Sequence, residues 1–324
     1  MRVRSNLLRC PVDAGQLRQD GPSLVCDSGV HRFPVVDGVP VLIDDDTSVF
    51  TVAGVAASGA AAAGAPLLTQ IALRVRPRPP SNIGAASRFE RFRDLACGED
   101  GRSARVLVVG GGELGDGMDA ITGDPRLEMI ETDVYISHRV DVACDAHRLP
   151  FVDGVFDGVV VQAVLEHVAS PTDVVAEIHR VLRPGGVVYA ETPFLQAVHE
   201  GAYDFTRFTD VGHRRLFRMF EEIDRGIALG PATSFLWAIR YFFRALPRRG
   251  GTAARLLDFV VSCGLFWLVY LDRRLSDHAG AYDAASGLYF LGRRAERPVS
   301  DRDVVASYRG TTGATAAVQR GFAT

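Results

Sequence analysis

The sequence predicts an α/β protein built on an open, largely parallel sheet, and three consecutive stretches carry that expectation. Phe156 to Val164 (FDGVVVQAV) is β-branched and almost uninterrupted, the pattern of a strand buried on both faces. Ser170-Pro171-Thr172-Asp173 reads as a helix start, with Ser as N-cap, Pro at the first helical position and Asp three residues after the cap. Val174, Val175, Ile178, Val181 and Leu182 then recur at helical spacing, and Pro184-Gly185-Gly186 is expected to end the helix. Val187 to Thr192 is the next strand. Strand, helix and strand in one compact unit imply a right-handed crossover.

Composition bounds the rest. The chain has 324 residues, enough for one sizeable domain and a smaller one. Its formal net charge is −3, so no global basic field argues for nucleic acid. Five cysteines at irregular spacing form no disulfide framework. Met1 to Arg9 does not read as a signal peptide. A cytoplasmic protein is expected.

Residues 1–46 read as a small β-rich unit, with LLRCPVDAGQL followed by LVCDSGVHRFPVVDGVPVLI. Residues 47–82 shift to Ala, Gly and Pro, ending near Arg76-Pro77-Arg78-Pro79-Pro80, and read as a solvated linker with some local helix. Ala85 to Cys97 follows as a helix and Ala104 to Val109 as the first strand of the main sheet. Gly110-Gly111-Gly112-Glu113-Leu114-Gly115 comes at once, where glycines let backbone amides approach a ligand at the start of a helix. Taken alone this turn suits a dinucleotide equally. Leu127 to Thr132 is the second strand, ending in Asp133, and the apolar run before Asp145 is the third.

Three segments in order, DAHRLPFVDGVFDGVV, VLEHV and EIHRVLRPGG, resemble the second half of a class I S-adenosylmethionine-dependent methyltransferase of the small-molecule "type 11" kind. The resemblance covers Arg105 to Pro193 and extends toward Arg293. It implies a Rossmann-like sheet with helices on both faces over residues 83–298, and S-adenosyl-L-methionine as cofactor. Carried over residue by residue, it assigns cofactor binding to Gly110, Gly112, Gly115, Asp133, Asp145, Ala146 and Gln162. Asp133 is expected on the ribose hydroxyls, with Glu131 as its rival, and Asp145 on the adenine amino group. The usual acidic residue two before the first glycine is Val108 here. Residues 1–46 resemble the zinc-ribbon-like activator module of certain methyltransferases. Cys10 and Cys26 persist, but Asp13 and Gly29 stand where that module has cysteines, so a metal-free relic is expected, and no metal elsewhere.

After the fifth strand, Glu191 to Thr209 is dense in His, acid, Tyr and Arg. Its PF…HEGAYDFTRFT wording resembles methyltransferases associated with polysaccharide and cell-envelope glycan synthesis. That resemblance implies O-methylation of a sugar hydroxyl on a glycan or glycolipid intermediate. His199 is the expected base, and Tyr203, Asp204 and Arg207 are expected to shape the acceptor pocket. The other reading of Asp204 and Arg207 is an i,i+3 helix pair. His167, in VLEHV, is a runner-up. A C- or O-methyltransferase of a quinone- or lipid-type molecule, and a non-catalytic methyltransferase-fold partner, are the alternatives.

Residues 231–280 interrupt the fold before the last strand, Gly287 to Gly292, with apolar segments SFLWAIRYFFRAL and LLDFVVSCGLFWLVYL. An apolar core of about sixteen residues is short of the roughly twenty that span a bilayer. The insertion is expected to cover the substrate pocket, to contact the inner face of a membrane through Arg240, Arg244, Arg273 and Arg274, or to form a homodimer interface. Residues 299–324 read as a flexible tail.

Overall fold

The computed structural model describes residues 2–58, 82, 84–98, 101–245 and 251–311, the side chains of 58 and 251–256 excepted. The Arg76 to Pro80 run, most of the Ala/Gly-rich stretch and the end of the chain from 312 lie outside the described residues.

The strands, in chain order, are β1 (Leu17–Asp20), β2 (Ser23–Cys26), β3 (Arg32–Val36), β4 (Val39–Leu42), β5 (Ala104–Val109), β6 (Leu127–Asp133), β7 (Val142–Cys144), β8 (Phe156–Gln162), β9 (Leu182–Pro193), β10 (Phe220–Leu229) and β11 (Gly287–Arg294). The helices that matter below are α1 (Val52–Ser58), α2 (Ala85–Cys97), α3 (Pro171–Val181), α4 (Asp210–Leu216), α5 (Pro231–Ala245) and α6 (Gly251–Leu265).

The eleven strands of the described residues join one sheet in the order β1-β2-β3-β4-β7-β6-β5-β8-β9-β11-β10. Strands β4 to β9 run parallel, and β11 is antiparallel between β9 and β10. The chain fills one side through β5, β6 and β7, then returns to β8 beside β5 and fills the other. The strand order therefore reverses between β5 and β8, and ligands of open α/β sheets bind outside the carboxyl ends of strands at such a point.

Alternate residues of the central strands feed two cores. Leu107, Val109, Val159, Val161, Val188 and Ala190 pack on one face with Val174, Ile178 and Val181 of α3. Val106, Val108, Val160, Val187 and Tyr189 pack on the other with Phe89 and Phe92 of α2. Strands buried on both faces in this way must be apolar at every position, which is why FDGVVVQAV lacks alternation. Val108 is part of the second core.

Several expectations change in the structure. The N-terminal unit is not set apart, because Val41 and Leu42 of β4 pair with Ala143 and Cys144 of β7 and extend the main sheet. Residues 47–58 hold local helix as expected, but packed against the fold: Asp44 and Asp45 cap a turn, α1 follows, and Val55 is buried. The glycine turn opens no α-helix; a 3-10 turn at Met118–Ala120 is all that precedes β6. Ser170 makes no side-chain cap bond, and Pro184-Gly185-Gly186 lies inside β9, since the helix already ends at Val181. The tail folds back in part: Asp301–Ala306 is helical and the Arg309 guanidinium meets Glu222 at 2.7 Å.

In the insertion, α5 lies against α6, and Asp258 explains its place in an otherwise apolar run. Its carboxylate meets Arg240 at 2.7 Å and Arg244 at 2.9 Å. Two of the four arginines expected to face anionic lipid are thus turned toward α6. Among the described residues no helix is long and apolar enough to cross a membrane.

Candidate cofactor and acceptor site

A cavity of about 630 Å³ opens at the β5/β8 reversal. Its floor is the backbone of Gly110 and Gly112, and the ends of β6, β7 and β8 supply Asp133, Asp145, Ala146 and Ala163. Gly110 sits at φ 77°, and a Cβ there would stand 2.2 Å from the Val164 side chain, so only glycine serves. Gly112 lies so near β6 that a Cβ would be 2.7 Å from Asp133 Oδ2, and its N–H donates to that oxygen at 3.0 Å. Ala163 holds φ 54° at the end of β8 while its N–H donates to the Glu191 carbonyl. Strain of this kind is tolerated where surrounding bonds fix the backbone, and it clusters at ligand sites.

The carboxylates sort by what already occupies them. Asp133 uses only backbone donors, Gly112 N–H on Oδ2 and Tyr135 N–H on Oδ1 at 3.2 Å, and it lines the cavity. Glu131, its rival, is ion-paired with Arg139 and does not line it. Asp145 is committed to internal partners. Ser48 donates to it at 2.5 Å, and His147 donates through its backbone at 2.9 Å and faces it with Nδ1 at 2.6 Å. Burial opposes charge on Asp145, but the bonds from His147 and Ser48 outweigh that and hold its acid below the usual range. The Asp145 bond in turn raises the His147 imidazole, against burial. His147 Nε2 accepts from Ser170 N–H at 3.1 Å, so this ring ties β7 to the start of α3.

Two of the expected cofactor residues sit elsewhere. Gln162 turns beneath the glycine loop, donating to Glu191 at 2.8 Å and to the Asp116 carbonyl at 3.1 Å, and neither it nor Gly115 lines the cavity. The reason is space: a Cβ at Gly115 would stand 1.8 Å from Gln162 Oε1, so the glycine leaves room for that amide.

The acceptor end is built by the loop after β9. Asp204 and Arg207 form a two-pronged ion pair, with the Asp204 side chain 1% exposed. The Arg207 guanidinium, first, and then burial in opposition, set the Asp204 acid well below the usual carboxylate range. Asp204 Oδ2 also accepts from His199 N–H at 2.9 Å, and Arg207 Nε donates to the Gln196 carbonyl at 3.0 Å. The pair therefore frames the loop from behind, as a structural brace, and does not line the cavity. His199 and Tyr203 do line it, together with His167 and Glu200. The loop is pinned to the end of β8 by Phe205 N–H on the Glu166 carbonyl at 2.7 Å, and to α5 by Tyr241 Oη on the Val198 carbonyl at 2.7 Å. The insertion thus packs on the acceptor loop, with the Trp237 ring 6.2 Å from that of His199.

Four residues here had no role in the sequence reading. Val49 and Phe50, from the stretch read as linker, close one wall, and Phe50 stacks on Tyr203 at 5.5 Å and 17°. Ser48 binds Asp145. No local pattern marks these three, because their position depends on β4 joining the sheet. Glu166 was visible only as the neighbour of His167. It is 1% exposed, and burial pushes its acid up to about 7.

In the N-terminal unit, Cys10, Asp13 and His31 bring ligand atoms within 4.8 Å of one another, and Cys26 Sγ donates to Asp13 at 3.0 Å. His31 approaches Asp13 at 3.6 Å.

Residues 93–190 match the family described as methyltransferase domain. A ubiquinone biosynthesis O-methyltransferase of Dechloromonas aromatica is 28% identical over 137 residues, covering 37% of this chain and 58% of that protein. A ubiquinone/menaquinone biosynthesis C-methyltransferase of Desulfotalea psychrophila is 30% identical over 117 residues, covering 28% of this chain and 48% of that protein. A Haemonchus contortus phosphoethanolamine N-methyltransferase 2, solved with S-adenosyl-L-methionine, is 15% identical with a TM-score of 0.41, covering 65% of this chain and 52% of that one. The chain spans 58% or less of the length of these two curated relatives. The glycine floor, the available Asp133 carboxylate and the cavity above them fit a nucleoside. The strand order is that of an open α/β sheet with this cavity at its point of reversal, and residues 93–190 within it match the methyltransferase domain.

Proposed function

We propose that the protein is an S-adenosylmethionine-dependent methyltransferase acting on a hydroxyl of a small-molecule acceptor. The observation that carries this reading is one cavity lined both by the Gly110, Gly112 and Asp133 floor, which suits a nucleoside, and by the paired imidazoles of His167 and His199. The bound cofactor supplies an electrophilic methyl on sulfonium. The chain's own task is alignment of the acceptor, exclusion of water and removal of one proton.

His199 is suited to that removal. Its Nδ1 faces the Ala197 carbonyl at 3.2 Å, which places the Nδ1 proton there and leaves Nε2 to accept. Nε2 stands 3.1 Å from His167 Nε2, so a proton taken from the hydroxyl is held between two nitrogens. Burial lowers the His167 imidazole, keeping it neutral and able to share that proton. Tyr203 and Phe50 stack over the cavity and limit its contact with water. Asp204 and Arg207 position His199, Asp204 accepting from its backbone N–H and standing 3.5 Å from its Nδ1, and neither lines the cavity.

The acceptor class is a sugar hydroxyl of a glycan or glycolipid intermediate, supported by the HEGAYDFTRFT wording of the loop. A phenolic hydroxyl of a quinone-type ring is the second reading, supported by the quinone-biosynthesis names of the relatives. The test is incubation with methyl-labelled cofactor and two acceptor panels, nucleotide sugars with cell-envelope extract and substituted catechols. A methyl ether in the first panel supports the sugar reading, and one in the second panel the phenolic reading. Label on carbon would contradict both.

A further inference from the structure

We propose that Glu166, His167 and His199 form a binding site for one divalent transition-metal ion of the zinc class at the acceptor end of the cavity. The two imidazoles carry the argument. His167 Nδ1 faces the Tyr203 carbonyl at 2.9 Å, and His199 Nδ1 faces the Ala197 carbonyl at 3.2 Å. Carbonyl oxygens only accept, so each Nδ1 holds the proton and each Nε2 presents a lone pair. The two Nε2 atoms point at each other 3.1 Å apart. Two lone pairs at that distance repel unless a cation lies between or beside them.

A third donor completes the set. The nearer Glu166 carboxylate oxygen, Oε1, is 3.6 Å from His167 Nε2, and the ligand atoms of all three residues lie within 4.8 Å. Glu166 is 1% exposed, and its Oε2 is buried without a hydrogen-bond partner. Metal–nitrogen bonds of about 2.0–2.1 Å at tetrahedral angles separate two ligands by about 3.3 Å, close to the spacing found. Two His and one carboxylate with open positions is the donor set of catalytic zinc and of several divalent iron sites. A ligating His whose other ring N–H donates to a backbone carbonyl is the usual outer arrangement of such sites, and both rings have it.

One consequence rests on the hydroxyl-transfer reading above. An acceptor hydroxyl bound at an open position of the cation becomes more acidic and releases its proton to water, so the imidazoles hold the cation in place of the proton.

Cobalt(II) titration of chelator-stripped full-length protein, followed by visible absorbance, tests the site. The expected result is one equivalent bound without the sulfur-to-cobalt charge-transfer band that Cys10 and Cys26 of the N-terminal cluster would produce. His167→Ala, His199→Ala and Glu166→Gln should each weaken this binding by about 100-fold or more, beyond what loss of an outer-shell partner costs. S-adenosylhomocysteine affinity measured on the same samples confirms that the variants are folded. Cobalt binding that survives all three substitutions, or binds only with the thiolate band, overturns the proposal. Failure of wild type to bind cobalt while it binds S-adenosylhomocysteine overturns the cation site and leaves the methyl-transfer reading standing. Failure to bind S-adenosylhomocysteine counts against that reading alone.

Discussion

Replacing Asp133 by Ala removes a carboxylate at the glycine floor that, among the described residues, accepts from backbone donors and has no cationic partner. Its two oxygens accept only from the backbone, Gly112 N–H at 3.0 Å and Tyr135 N–H at 3.2 Å, leaving lone pairs toward the cavity. A hydrogen bond to a charged group contributes about 1.5–3 kcal/mol. The cofactor dissociation constant should therefore rise by about 10- to 150-fold. Glu131→Gln is the matched control, because Glu131 is bound to Arg139 and stands outside the cavity. It should change affinity by less than about threefold, the size of an indirect effect. Calorimetric titration with S-adenosylhomocysteine reads both. Equal affinity of wild type and Asp133→Ala, or a larger loss in Glu131→Gln, would remove Asp133 from the ribose site and refute the reasoning.

Three further outcomes follow from other parts of the structure. Arg207→Ala leaves the Asp204 side chain without its guanidinium partner, only His199 remaining beside it, and should lower stability by about 2 kcal/mol, with Arg207→Lys failing to restore it because the two-pronged geometry is lost; an unchanged melting temperature would contradict this. Phe50→Ala removes the ring stacked on Tyr203 and should weaken ligand binding in the cavity by about 2- to 12-fold, the range for an aromatic pair worth about 0.5–1.5 kcal/mol, as read by the same calorimetry. His213 is buried against Phe217 and Phe290, and burial first, then Arg225, lowers its imidazole to about 3. The fold holds the neutral ring, so its contribution is full above pH 6.5 and is lost as pH falls toward 3. Between pH 6.5 and pH 4.5 the loss is about 2 kcal/mol, since the unfolded ring is half protonated at pH 6.5 and the slope approaches 1.36 kcal/mol per unit only below it, and His213→Phe should flatten that slope in denaturant titrations.

The central sheet was legible because strands buried on both faces must be continuously apolar. Ala104–Val109 was placed to the residue, and the start of Phe156–Gln162 was as well. Boundaries slipped where turn residues are compatible with two structures, as at Pro184-Gly185-Gly186, which continues β9 instead of ending α3. The site was legible where a backbone demand forces a residue type, as at Gly110, or where a strand end delivers an acid, as at Asp133. Gln162 shares the strand-end position yet turns under the glycine loop, since the space at Gly115 admits its amide. Ser48 and Phe50 were invisible because they reach the cavity only through the pairing of β4 with β7, a contact about a hundred residues long-range that no local pattern encodes. Asp258 read as an interruption of an apolar helix until Arg240 and Arg244 stood opposite it.

Methyl transfer by wild type and His199→Ala, with cofactor affinity measured on the same samples, tests the function of this cavity most directly. His199 faces the acceptor end, so its loss should leave S-adenosylhomocysteine affinity within about threefold while turnover falls by about 10²–10⁴-fold, the range for lost removal of the acceptor proton, whether His199 takes that proton or holds the cation that acidifies it. Full turnover by His199→Ala across pH 6 to 9, on whichever acceptor wild type methylates, would contradict the assignment of the paired imidazoles to the reaction.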